Sequence, residues 1–266
     1  MINNIFSTWR KQKNIPFFQL ESLFNKIFKI NLTNSQQQKF IKELKQFYPF
    51  SEYIEFSFEG KNFGQHCLMD TEIFKKTKIV SKAIKYKNNK IFQREYIKDK
   101  SYFFKNNYFD TNFIPYFVAL DNNNIKKLYY FKKDSLSLKN GILFLKKFGL
   151  PTEDFKEKFK FLFHSNFKEK LIISTEVKSN KIFPKEIKFY FNVINLSKKK
   201  LDNILSILKR EKLIDDNYLK SKYLLEKTLK KNVKMEYISF KISKAKKISV
   251  GFYEIISLYE NQKYNL

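Results

Sequence analysis

The chain has one cysteine, Cys67, and two histidines, His66 and His164, in 266 residues. A single thiol makes no intramolecular disulfide and no cysteine-based zinc site. Two histidines are too few for a histidine-rich metal site. The five glycines, at 60, 64, 141, 149 and 251, form neither a phosphate loop nor a dinucleotide fingerprint. Arginine is scarce too: Arg10, Arg94 and Arg210 are the only three among 53 basic residues. No apolar run reaches the roughly 18 residues needed to cross a bilayer. The stretch from Met1 to Pro16 has no signal-peptide core and no small-residue cleavage site. These absences point to a cytoplasmic protein in a reducing compartment, with no membrane partner.

What is present is apolar, aromatic and basic. Hydrophobic residues make up 43%, enough for a core, and the net charge is +27. Lysine, phenylalanine, tyrosine, isoleucine and asparagine are the residues an A/T-rich genome favours. Part of the basic excess therefore follows codon usage, which weakens it as a sign of a nucleic-acid partner.

Residues 1–16 read as an N-terminal arm carrying Trp9 and Arg10, and residues 17–266 as a single domain. Helical spacing of Phe18, Leu20, Leu23, Phe24, Ile27 and Phe28, then of Phe40, Ile41, Leu44 and Phe47, predicts two helices. They part near Asn31–Thr33, where Thr33 or Asn34 can cap the second. Strands are expected over 53–58 and 65–73, around a turn at 60–64. Residues 75–98 carry both periods, helical at first and strand-like from Ile91 to Ile97. A hairpin follows over 113–132, turning at Asp121–Asn124. Helices are expected at 135–149, 152–165, 197–211 and 215–230. Strands are expected at 170–178, 186–194, 233–243 and 247–257.

Hairpins separated by helix pairs are not a βαβ alternation, so a parallel sheet does not fit. One antiparallel sheet with its helices outside does, and closing it into a barrel removes its edges. Residues two apart share a strand face. Lys127, Tyr129 and Phe131 therefore lie together, as do Lys188, Tyr190 and Asn192. Tyr237 and Ser239 share one face, and Lys247, Ser249 and Gly251 another. Lysine ammoniums can hold a diphosphate, and tyrosine rings can shield a carbocation. The plainer reading makes these lysines solvent-facing and the tyrosines packing. Glu55, Ser57 and Glu59 also share a face; it reads first as solvated, with a proton acceptor at a pocket as the second reading. His66 shares a face with Leu68 and Asp70, which would allow a His–Asp pair. Cys67 reads as a small buried residue.

In this order and spacing, the segments Ile54–Ser57, Tyr116–Asp121, Ile125–Phe131, Ile187–Phe191 and Lys247–Val250 resemble the soluble aromatic prenyltransferases. Those proteins have the ABBA, or PT-barrel, fold, and the likeness is to the bacterial phenol-prenylating branch. The resemblance implies an α+β fold, with about ten antiparallel strands in a barrel surrounded by a ring of α-helices. It implies transfer of an allylic prenyl group from an isoprenoid diphosphate to an electron-rich aromatic acceptor. That acceptor is a small molecule or an aromatic side chain of a peptide. Carried over, Lys127, Lys188 and Lys247 hold the diphosphate. Tyr129, Tyr190 and Tyr237 shield the cation, and Asp70 and Glu55 are the catalytic carboxylates. No cofactor is required by the resemblance, although some members use magnesium. The family usually continues past the Lys247 strand with a further helix pair and strand pair. Three expectations stand: residues 76–98 supply that pair, the barrel is incomplete, or a second subunit closes it. Two other classes compete with transfer. One is a basic barrel that binds single-stranded nucleic acid, and the other a non-catalytic barrel that holds an aromatic metabolite.

Overall fold

A computed structural model describes residues 13–69, 75–103, 112–122, 124–132, 135–178, 181–244 and 248–259. Trp9, Arg10, Asp70 and Lys247 lie outside the described residues. Two helices come first, α1 (Phe17–Asn31) and α2 (Asn34–Phe47). Thr33 caps α2 in a capping box with Gln36, which satisfies two otherwise orphaned backbone donors. Six strands follow: β1 (Ser51–Glu59), β2 (Asn62–Met69), β3 (Ile79–Lys87), β4 (Lys90–Ile97), β5 (Phe113–Asp121) and β6 (Asn124–Lys132). Next come the short β7 (Leu136–Ser137), α3 (Leu138–Lys147), α4 (Glu153–Phe163), the short β8 (Asn166–Phe167), β9 (Leu171–Lys178) and β10 (Lys181–Asn192). The described chain ends with α5 (Lys198–Arg210), α6 (Asp216–Leu229), β11 (Val233–Ser243) and β12 (Ser249–Ser257).

Ten of the strands form one closed antiparallel barrel, in the order β1-β12-β11-β10-β9-β6-β5-β4-β3-β2. The ambiguous segment 75–98 is resolved as the hairpin β3–β4. Its turn residues, Asn88 and Asn89, both have positive φ (51° and 61°), as a two-residue type I′ turn demands. This pair supplies the strands that the resemblance left unassigned. The barrel then closes where β12 pairs with β1, from Tyr53↔Ser257 to Phe58↔Phe252. Other boundaries shift modestly. β2 starts at Asn62, and β10 starts at Lys181 because the ladder runs on through what the sequence suggested was a connection.

The wall has two differently built faces. Phenylalanines dominate its outside and pack under the helices. Phe24 of α1 meets Phe56 at 4.7 Å, Phe155 of α4 meets Phe189 at 5.1 Å, and Tyr218 of α6 stacks on Phe252 at 4.2 Å. Each such ring fully buried contributes roughly 1.5–3 kcal/mol. Tyrosines dominate the inside, where Tyr96, Tyr129, Tyr190 and Tyr253 form a separate buried cluster. A phenol needs a partner for its hydroxyl, and the lumen supplies polar ones. The outer layer carries one buried charge cluster: Glu254 accepts from Tyr218 at 2.8 Å and from Lys222 at 3.2 Å. It ties α6 to β12.

Candidate active site

Alternation sends every second residue of each barrel strand into the lumen. From β1 these are Glu55, Ser57 and Glu59; from β2, Gly64, His66 and Leu68. Glu55 and Ser57 are buried, so this face of β1 is not the solvated one. Two adjoining hollows occupy the lumen and share Lys85, Tyr129 and Tyr190.

The first hollow, of about 220 Å³, is basic. Lys85, Arg94, Lys127 and Lys188 line it, with Lys87 and Lys126 at its margin and Glu59 and Glu176 as its only carboxylates among the described lining residues. Arg94 Nε and Nη2 donate to Asp121 Oδ1 and Oδ2 at 2.5 and 2.7 Å, which fixes the guanidinium plane. Lys127 is 3.4 Å from Glu186. Lys188 donates to Glu59 and, at 2.7 Å, to the Tyr253 hydroxyl. Tyr253 in turn donates to Glu59 at 2.5 Å. The Lys188 ammonium also sits 5.0 and 5.2 Å from the ring centres of Tyr190 and Tyr253.

These cations are crowded and poorly hydrated. Burial pushes Lys188 down to about 7; Glu59 opposes the shift, and Lys127 and Lys85 reinforce it. Burial and the charge of Arg94 push Lys85 down to about 8. Burial alone would raise Glu59, but Lys188 and Lys85 hold it well below the usual carboxylate range. A site that strains to keep its cations charged gains most from an incoming anion.

Gly251 gives this arrangement its room. A β-carbon there would lie 2.7 Å from Ser239 Oγ and 2.8 Å from Glu59 Cγ. Gly251→Ala is therefore expected to cost about 1–3 kcal/mol of stability in denaturant melts, as overpacking does. Binding of an anion to the Lys188 pocket should weaken with it. Unchanged stability and binding would show that Glu59 and Ser239 can move aside.

The second hollow, of about 110 Å³, is aromatic. Phe117 stacks on Tyr129 at 4.3 Å, and Tyr96 and Tyr190 each lie 5.8 Å from Tyr129. Tyr253 lies 5.5 Å from Tyr190 and 6.3 Å from Tyr237. Among the described residues, five polar side chains besides the phenols, Glu55, His66, Ser81, Lys85 and Glu236, line this hollow. His66 Nδ1 is 3.5 Å from Glu55 Oε1. Burial, with Lys85 and Arg94 nearby, holds His66 well below its ordinary value, so it is neutral. Burial pushes Glu55 up to about 7. Burial and the neighbouring Glu55 push Glu236 well above the usual carboxylate range.

Lys127 and Lys188 thus converge on one hollow, Tyr129 and Tyr190 separate it from the other, and Tyr237 and Glu55 line the second. His66 faces Glu55; the His66–Asp70 pair that the sequence allowed involves Asp70, which lies outside the described residues. Glu59 joins the site from the face of β1 that the sequence read first as solvated, and Lys85, Arg94, Tyr96, Tyr253 and Glu236 join it without having been singled out. Asn88-Asn89 was the signal for Lys85 and Arg94, because a type I′ turn there sets the alternation of both flanking strands. Glu236 faces inward because a bulge between Met235 and Tyr237 breaks that alternation. Among the described residues, no group of three His, Cys, Asp or Glu side chains could hold a metal ion. Glu59 is engaged by Lys188 and Tyr253.

A closed barrel of ten antiparallel strands with a polar, tyrosine-lined lumen, ringed by helix pairs, is the ABBA, or PT-barrel, fold. Solved structures of that fold superpose on most of the chain. The 6-dimethylallyltryptophan synthase of Micromonospora olivasterospora, solved with DMASPP and Trp, matches at a TM-score of 0.59 and 8% identity, over 90% of this chain and 96% of its own. The 5-dimethylallyltryptophan synthase of Streptomyces coelicolor matches at 0.62 and 8%, over 92% and 98%. NotF, solved with brevianamide F and DMSPP, matches at 0.61 and 10%, over 98% and 99%. No protein-family model and no curated sequence matches the chain. No helix among the described residues is long and apolar enough to cross a membrane.

Proposed function

We propose that this barrel is an aromatic prenyltransferase. One observation carries the reading: four cations, Lys188 buried and Lys85, Arg94 and Lys127 half-buried, abut a layer of tyrosine rings inside a closed barrel. The cations suit the diphosphate of an allylic isoprenoid. Cleavage of its C–O bond leaves the electron pair on the diphosphate, where these charges stabilise it. The allylic cation then lies against Tyr129, Tyr190 and Tyr253, whose ring faces attract it while the barrel excludes water. An electron-rich ring in the second hollow attacks the cation through carbon. Glu55 accepts the ring proton, restoring aromaticity. The neighbouring structures that hold prenyl thiolodiphosphates with tryptophan or brevianamide F support the same use of the lumen.

Nucleic-acid binding is disfavoured by where these side chains are. Most of the described aromatic rings are packed in the wall or lumen; among the described residues Phe18, Phe161 and Tyr223 are exposed, one each on α1, α4 and α6, which is not the row of rings that would stack successive bases beside the surface lysines.

A thermal-shift assay with dimethylallyl thiolodiphosphate, which resists ionisation, tests donor binding. At hundredfold excess over Kd, linkage predicts about 2.7 kcal/mol of stabilisation, or roughly 5–10 °C. Incubation with dimethylallyl diphosphate and a panel of indoles and phenols should then give a C-prenylated ring. Absence of both the shift and the product sinks the reading.

A further inference from the structure

We infer that the aromatic acceptor brings two hydrogen-bond donors on different edges of its ring system, one to His66 Nε2 and one to Glu236 Oε2. The inference rests on the transfer reading for the word acceptor, but its evidence lies in the second hollow alone. His66, Glu55 and Glu236 form a polar arc there, drawn from β2, β1 and β11. Glu55 is its middle member. It has His66 Nδ1 at 3.5 Å on one side and a hydrogen bond with Glu236 on the other. His66 and Glu236 are 6% and 3% exposed. His66 Nε2 and Glu236 Oε2 are buried with no hydrogen-bond partner among the described residues, while the Glu236 carboxyl also meets the Tyr237 side chain. Both residues line the hollow.

Counting protons tells which kind of partner those atoms lack. Two touching carboxyls cannot both ionise readily, so the pair holds one proton. Lys85 and Lys188 act on Glu55 and favour its charge, opposed by Glu59. Glu55 weighs most on Glu236 among its charged neighbours and raises it further, opposed by a hydrogen bond with Tyr237 and the charge of Lys170. The charge therefore sits on Glu55 and the proton on Glu236, which donates it to Glu55. Neutral His66 has a single N–H, and Nδ1 beside the Glu55 carboxylate carries it. Nε2 is then a bare lone pair, and Glu236 Oε2 a carbonyl-type oxygen. Both accept, so the ligand must donate twice. Ser81 Oγ, the third unpartnered atom of the hollow, can serve in either sense and does not discriminate. A buried acceptor left unmatched by a ligand is penalised, which turns the arc into a selectivity device.

Calorimetric titration at pH 8, with the protein saturated by dimethylallyl thiolodiphosphate, tests this. The probes are indoles hydroxylated at C4, C5, C6 or C7, with their O-methyl, N-methyl and doubly methylated forms. The best hydroxyindole is expected to bind at least about tenfold tighter than either singly methylated form, and the doubly methylated form weakest. Glu236→Gln still donates to Glu55 and still offers a carbonyl, so it should keep the preference within about threefold. Glu236→Leu should lose the discrimination at one methylation site, and His66→Phe at the other. Equal affinity of hydroxyindoles and their methylated forms, no binding of any of them, or Glu236→Gln behaving as Glu236→Leu would overturn the inference. A wild-type protein that shows the binding preference but transfers no prenyl group would instead refute the transfer reading.

Discussion

Lys188→Ala is expected to lower kcat/KM for an allylic diphosphate by about 100-fold or more. It should also remove the thermal protection given by the thiolodiphosphate. The ammonium is 2% exposed, lies among three other cations, and is held by Glu59 and Tyr253 against two ring faces. Truncating one partner of such a buried charged contact costs roughly 2–5 kcal/mol, and each 1.4 kcal/mol is about tenfold. Lys200, exposed on the first turn of α5, carries the same formal charge in water and should change the same quantities less than twofold when replaced by alanine. Lys188→Ala also leaves Glu59 as an uncompensated buried anion, so loss of fold must be separated from loss of binding. Lys188→Ala combined with Glu59→Gln removes both charges and should fold, yet still fail to bind the donor. Equal effects of the Lys188 and Lys200 changes would end the site assignment.

Glu55→Gln should reduce turnover by about 100-fold or more, within the span usually contributed by a positioned general base. Its pH dependence gives a sharper reading. A base must be ionised, so the wild-type rate should rise with pH through about 7, the value to which burial pushes Glu55. Donor capture needs charged Lys188, which in the free protein loses its proton as pH rises through about 7. Thus kcat/KM for the donor should be bell-shaped with its maximum near neutrality. Bound diphosphate favours the charged lysine, so kcat should keep only the rising limb. In Glu55→Gln that rising limb should vanish while the falling limb of kcat/KM stays. A kcat profile that keeps its acidic limb in the variant would assign the ring proton to another group.

Much of this was legible before any coordinates. Element order, the absence of βαβ units, and the Lys-x-Tyr pairs of β6 and β10 led to a barrel with Lys127, Lys188, Tyr129 and Tyr190 inside it. Segment 75–98 was not legible, because both faces of its strands are partly buried. Ile84 packs outward into the main core while Ala83 faces the lumen, and the mixture hides the period of two. Lys85 and Arg94 were hidden with it. The face of Glu55 and Glu59 reads first as solvated for a related reason, although Glu55 and Ser57 on it are buried. In most half-buried strands the polar face meets water, but this barrel puts its apolar face outside, under helices, and its polar face in the lumen.

The sequence by itself determined the alternation of each strand, and so which side chains travel together. Period and turn chemistry are local, and they survive without knowledge of neighbours. Only the tertiary structure decided which of the two faces is the inside. It also closed β12 onto β1 and turned Glu236 inward at a bulge. The closure pairs residues as far apart as Tyr53 and Ser257, and burial and the partners of each charge are set by the whole barrel and not by any one segment.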